Sequence, residues 1–121
     1  LVRFCLCSSA AGFPAEDPFV FTYGGRLYCL LKDNGKFYSD SERSIVIFES
    51  GNGIDWKVSD NPVFLKREIE TESGKRRKFF RLERPQIFFE NGKPEYFFCA
   101  VKPEEGVDDS MNIHMKIGEL P

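Results

Sequence analysis

Histidine and tryptophan occur once each in this 121-residue chain, and methionine twice. The lone His114 comes late, and no Cys-x-x-Cys or Cys/His spacing accompanies it, so nothing suggests a zinc site. Net charge is nearly absent as well. Seventeen basic residues against nineteen acidic ones leave −2, so no global field draws the chain to nucleic acid or to an anionic membrane. No apolar run approaches the roughly 20 residues needed to cross a bilayer as a helix. The segment Leu1 to Ala11 holds one basic residue and a short apolar stretch, and no signal peptide is visible in it. The chain starts at Leu1 rather than at methionine, which implies that something upstream is removed or not included. Sustained 3.6-residue periodicity is missing from Leu1 to Leu65, and with it any argument for helices there.

What the chain has in quantity is phenylalanine, thirteen of them, with four tyrosines. These sit mostly in short apolar runs, and aromatic and β-branched side chains suit the pleated surface of a sheet. One stretch organises the rest: Leu82-Glu83-Arg84-Pro85-Gln86-Ile87-Phe88-Phe89 echoes Ala15-Glu16-Asp17-Pro18-Phe19-Val20-Phe21-Thr22. Each copy reads acid, charged residue, proline, any residue, β-branched residue, phenylalanine. Gly25 and Gly92 follow at the same distance, and each leads into a second apolar run, Leu27 to Leu31 and Tyr96 to Val101. The unit is carboxylate, proline, strand, glycine turn, strand. Proline cannot donate to a sheet ladder, so it survives at a strand start or on an edge. Repetition of such a unit predicts an all-β repeat architecture, with β-propeller blades, each an antiparallel four-stranded sheet, foremost. A carboxylate just before the proline then points to the axis where blades converge, although acidic turn residues also occur with no such role.

The remaining elements follow in order. Residues 1–14 read as the last strand of a preceding blade and a connection, and 15–65 as one blade. Residues 66–82 read as a basic insertion loop, and 83–121 as a second blade. Gly24-Gly25 makes a tight hairpin turn. Ser44 to Glu49 is apolar enough to be buried on both faces. Asn52-Gly53 turns the chain, Trp56 folds back over that turn, and Asn61-Pro62 ends the hairpin. Lys75-Arg76-Arg77-Lys78 ahead of Phe79-Phe80 has the composition of a single-strand nucleic-acid binder. The run is short in a mildly acidic chain, so it reads instead as a solvated hairpin tip whose tail docks through the two phenylalanines. Met111 to Ile117 alternates and closes as a final strand. Cys29 and Cys99 hold nearly matching places inside apolar runs and read as buried free thiols. Cys5 and Cys7 are badly placed to bond each other.

Glu16-Asp17-Pro18, the Lys32-Asp33 pair, Ser50-x-Asn52-Gly53-x-x-Trp56 and Glu83-Arg84-Pro85-Gln86 occur in that order. The set resembles the later blades of the five-bladed β-propeller glycoside hydrolases of families 43, 32 and 117, over roughly Ala15 to Ile117. The resemblance implies an axial pocket with three carboxylates from successive blades. Asp17 would orient the sugar and tune its neighbour, and Glu83 would be the general acid. Glu16, Arg84, Arg26 and Trp56 would line the substrate site. Glycosidic cleavage needs one acid to protonate the leaving oxygen and a second carboxylate to activate water or to attack. Two departures stand out: no first-blade aspartate precedes Glu16, and Leu82 stands where family 117 has histidine.

The expected function is therefore that of the C-terminal part of a glycosidase acting on a plant or algal glycan, secreted or periplasmic as its relatives are. No cofactor is expected; a central calcium, known in some relatives, finds no ligand set here. The alternative is a non-catalytic carbohydrate-binding or assembly module. Two blades leave sheet edges exposed, and a homo-oligomer would cover them. No nucleic acid or membrane partner is expected, and His114 reads as a core or rim residue.

Overall fold

The two echoed hairpins fold into two antiparallel sheets that share one irregularity. In the computed structural model, which describes residues 15–120, β1 (Ala15–Tyr23), β2 (Arg26–Asp33), β3 (Ser44–Ser50) and β4 (Trp56–Leu65) pair in that order. A short hairpin of β5 (Glu68–Glu70) and β6 (Arg76–Lys78) follows. β7 (Arg81–Glu90), β8 (Lys93–Lys102) and β9 (Met111–Lys116) make the second sheet. The all-β expectation holds for the described residues. Four-stranded sheets were expected in both blades, but no fourth strand joins β9 among the described residues, and the two sheets do not close into a ring. The strand and connection read in residues 1–14 lie outside the described residues.

Local chemistry explains the shared shape. Both central residues of each hairpin turn have positive φ, Gly24 and Gly25 in the first and Asn91 and Gly92 in the second. That is the I′ geometry whose twist matches the flanking strands. Each first strand then carries a bulge at its proline. In β1 the pairing jumps from Glu16 opposite Lys32 to Phe19 opposite Leu30. In β7 it jumps from Glu83 opposite Ala100 to Gln86 opposite Phe98. The residue before each proline is left-handed, Asp17 at φ 56° and Arg84 at φ 55°. A proline with no N–H to lose fits the unpaired position of a bulge.

The sheets stack front to back. In the first sheet the face of Phe21, Leu30, Ile45 and Ile47 enters the core shared with the second. In the second sheet it is the opposite register face, that of Leu82, Ile87, Phe97, Cys99 and Val101. Burial at matched positions is therefore exchanged. Phe21 is 7% exposed and its echo Phe88 53%, whereas Val20 is 53% exposed and its echo Ile87 7%. Each large side chain fully buried in this core contributes about 1.5–3 kcal/mol.

The back of the first sheet has its own cover. Cys29, Leu31, Val46 and Phe48 are packed by Tyr38, Trp56 and Val58, which is why β3 is buried on both faces. Asp33, fully buried, accepts hydrogen bonds from the amides of Gly35, Phe37 and Tyr38 at 3.0, 3.0 and 3.1 Å and so pins that cover. Asn61-Pro62 does not end the hairpin, contrary to the sequence expectation. β4 runs through it, taking up the extra residues as a register shift between Val46 and Phe48. An edge strand tolerates proline in this way. The basic segment pairs as β5–β6, with Phe79 buried in the core. Cys29 and Cys99 are both buried, as the sequence led one to expect, and burial pushes the Cys99 thiol up to about 12.

Candidate functional site

The two bulges lie side by side where β1 meets β7. The amide of Arg84 donates to Asp17 Oδ2 at 3.1 Å, joining positions 67 residues apart. Between the two bulges sits Lys32, whose side chain is only 5% exposed. Its Nζ lies 2.8 Å from Glu16 Oε2, 3.4 Å from Glu83 Oε1 and 3.9 Å from Asp17 Oδ2. Asn34 Nδ2 donates to the other Glu16 oxygen at 2.8 Å, and Arg81 stands 3.7 Å from Glu83 Oε1. The hydrogen bond from Lys32, with that from Asn34 behind it, holds the Glu16 carboxyl below the usual carboxylate range. Glu16 is thus a fixed negative charge at neutral pH.

Three of the sequence-expected residues are therefore brought together: Glu16, Asp17 and Glu83, with side chains 58%, 30% and 34% exposed. All can be reached by a solute. Arg84 joins them through its backbone. Arg26 and Trp56 do not join them. Arg26 sits at the turn end of β2, 3.5 Å from Glu49. Trp56 packs on the back of the first sheet and donates from Nε1 to Gly53 O at 3.1 Å, so it serves the turn. His114 is exposed on the outer face of the second sheet, stacked on Phe98 at 5.7 Å.

Asn34, Arg43 and Arg81 are lining residues that the sequence did not single out, and Lys32, seen there only within the Lys32-Asp33 pair, had no role assigned. Counting outward from the Gly24-Gly25 turn pairs Glu16 with Asp33. The extra residue of the bulge moves its partner to Lys32 and turns the ammonium toward the carboxylates. Together with Glu16 these four line a cavity of about 210 Å³. Glu83 also lines a second space, of about 150 Å³, with Lys102, Asp108 and Asp109. Larger cavities of about 350 and 480 Å³ lie away from the carboxylates, between β4 and β9 and between the β5–β6 hairpin and β9.

Among the described residues no group of three or more His, Cys, Asp or Glu side chains is arranged to hold a metal ion. The carboxylates that do converge meet on an ammonium, so the central positive charge comes from Lys32. Among the described residues no helix is long and apolar enough to cross a membrane. No protein-family model matches this chain, and no curated protein or solved structure matches it.

Proposed function

We propose that this chain forms part of a β-propeller glycoside hydrolase and supplies two of its active-site carboxylates. Glu83 is the general acid that protonates the leaving oxygen. Asp17 orients the sugar, and a further carboxylate from another blade or another copy activates water. The observation that carries this reading is the convergence of Glu16, Asp17 and Glu83 from two matched bulges onto one point. Front-to-back stacking of the sheets supports the propeller, because that is how successive blades of a ring must pack. The Asp17 and Glu83 oxygens lie 3.9 and 3.4 Å from one nitrogen.

Lys32 divides the roles. Its 2.8 Å bond to Glu16 is a short charge-assisted hydrogen bond, whereas 3.4 Å to Glu83 is long for one. Glu16 is the carboxylate that Lys32 holds most closely, and Glu83, held at the longer distance, is the one assigned to meet the substrate. A panel of aryl glycosides tests this. Turnover should fall by about 10²–10⁴ in Glu83→Gln, and Asp17→Asn should also lose activity. Turnover indifferent to both substitutions places the chemistry elsewhere.

The exposed row Phe88, Tyr96 and Phe98 favours a second reading, a non-catalytic carbohydrate-binding or assembly module. A folded oligomer without turnover on any glycoside supports that module over the enzyme.

A further inference from the structure

The 210 Å³ cavity beside the carboxylates carries more positive charge than its own residues use. Both Glu16 oxygens are taken, one by Lys32 and one by Asn34. The cavity's other charged walls are Arg43 and Arg81. Among the described residues the carboxylate within ion-pair distance of Arg81 is that of Glu83, at 3.7 Å, too long for a good hydrogen bond. Arg43 has no carboxylate within ion-pair distance among the described residues. Its guanidinium lies over the Phe80 ring at 4.6 Å, and that of Arg81 stands 5.4 Å from the same ring. Phe80 is itself fixed, its amide donating to Lys102 O at 2.9 Å. Arg43 also holds a left-handed backbone, φ 60°, at the entry to β3. A long side chain in that conformation is uncommon, and such strain is retained where the surroundings over-determine it. Two guanidinium groups are thus set on one aromatic platform, facing a space too small for a drug-sized ligand but open to one charged group and part of a sugar ring.

The geometry points to an anion subsite: Arg43 and Arg81 receive the carboxylate or sulfate ester of an acidic sugar unit adjoining the Asp17/Glu83 pair. Guanidinium forks match such oxyanions in plane and charge. The inference rests on the glycosidase reading for the sugar, while the anion preference rests on Arg43 and Arg81 alone.

Binding and turnover separate the two. The full chain is titrated by NMR with sodium D-galacturonate, D-galactose 6-sulfate and neutral D-galactose, following the guanidinium signals of Arg43. An anionic sugar is expected to shift those signals and neutral galactose to leave them in place; the two anionic arms tell carboxylate from sulfate. Arg43→Asn keeps a residue that accepts the left-handed backbone and should weaken anionic binding roughly ten- to hundredfold. Arg43→Lys should recover part of that loss. Equal binding of neutral and anionic sugars, no binding of either anionic sugar, or anionic binding unchanged in both variants overturns the subsite. If anionic sugars bind through Arg43 while no aryl glycoside or aryl uronide is cleaved, the subsite stands and the glycosidase falls. If only neutral glycosides are cleaved and Arg43→Asn leaves their turnover unchanged, the glycosidase stands and the subsite falls.

Discussion

Leu30 and Phe98 occupy the same place in two copies of one pattern, each opposite the residue that follows the bulge proline. Leu30 is fully buried and Phe98 is 39% exposed. The same holds for Lys32 and Ala100, which stand opposite Glu16 and Glu83. Local sequence settles what is local: the I′ turn, the bulge and the left-handed residue before proline recur in both copies. What a position touches is settled by the neighbour stacked on its face. The front of the first sheet has the second sheet upon it, and the front of the second sheet meets water.

Truncation at the Leu30/Phe98 pair should show the largest difference. Leu30→Ala is expected to cost about 2–5 kcal/mol, and Phe98→Ala about 1 kcal/mol or less, as surface changes do. Chemical denaturation of both variants gives the comparison directly. Equal costs would mean that the outer face of the second sheet is covered in solution.

A smaller effect belongs to the Lys32/Ala100 pair. Lys32→Met leaves three carboxylates around an apolar tip. Their partial exposure limits the loss to about 1–2 kcal/mol, below that of a fully buried broken pair. Because the Glu16 carboxyl is held low in the folded state, its share of stability is present above its ordinary value of 4.5. That share is lost as pH falls through the lower folded value. Lys32→Met should therefore flatten the acid limb of a stability–pH curve; an unchanged limb would remove Lys32 from the cluster.

The smallest effect compares the two left-handed residues. Arg84→Gly relieves a strained backbone and should change stability by less than about 0.5 kcal/mol, strain relief offsetting the added freedom of the unfolded chain. Asp17→Gly gives the same relief but removes the acceptor of the Arg84 amide, with a net cost of about 1 kcal/mol. Thermal unfolding of the two variants side by side distinguishes them. Indistinguishable midpoints would mean that the 3.1 Å contact contributes nothing.

The fold was legible where it depends on near neighbours. The acid, charged residue and proline marked the two edge strands, although each proline sits at a bulge inside its strand and not at its start. Paired turn residues marked the hairpins, and the apolar run Ser44 to Glu49 marked a strand buried on both sides. At the site, Glu16, Asp17 and Glu83 were legible because the repeat singled them out. Lys32 was visible as part of a motif yet had no role, since pairing counted from the turn sets Asp33 opposite Glu16. Only the bulge corrects that count. Trp56 was legible over its Asn52-Gly53 turn, but its distance from the carboxylates was not, because an indole after such a turn serves a sheet face or a sugar equally well by composition. Arg43 carried no signal at all: it reaches the cavity beside Glu16 at the end of a loop pinned by Asp33, a placement that no periodicity encodes. Asn61-Pro62 misled because proline reads as a stop unless the strand is known to be an edge.

The contacts that join the two sheets fall into two kinds. Most of the joint is hydrocarbon against hydrocarbon, which resists separation but resists sliding far less, since burial has no preferred direction. Among the described residues the contacts with direction are those at the bulges, Lys32 to Glu83 and the Arg84 amide to Asp17. They act as a dowel between two greased plates, fixing how far one sheet is rotated on the other. Any solute that competes for Lys32 or Glu83 loosens that dowel, so occupancy at the carboxylates and the angle between the sheets are coupled quantities.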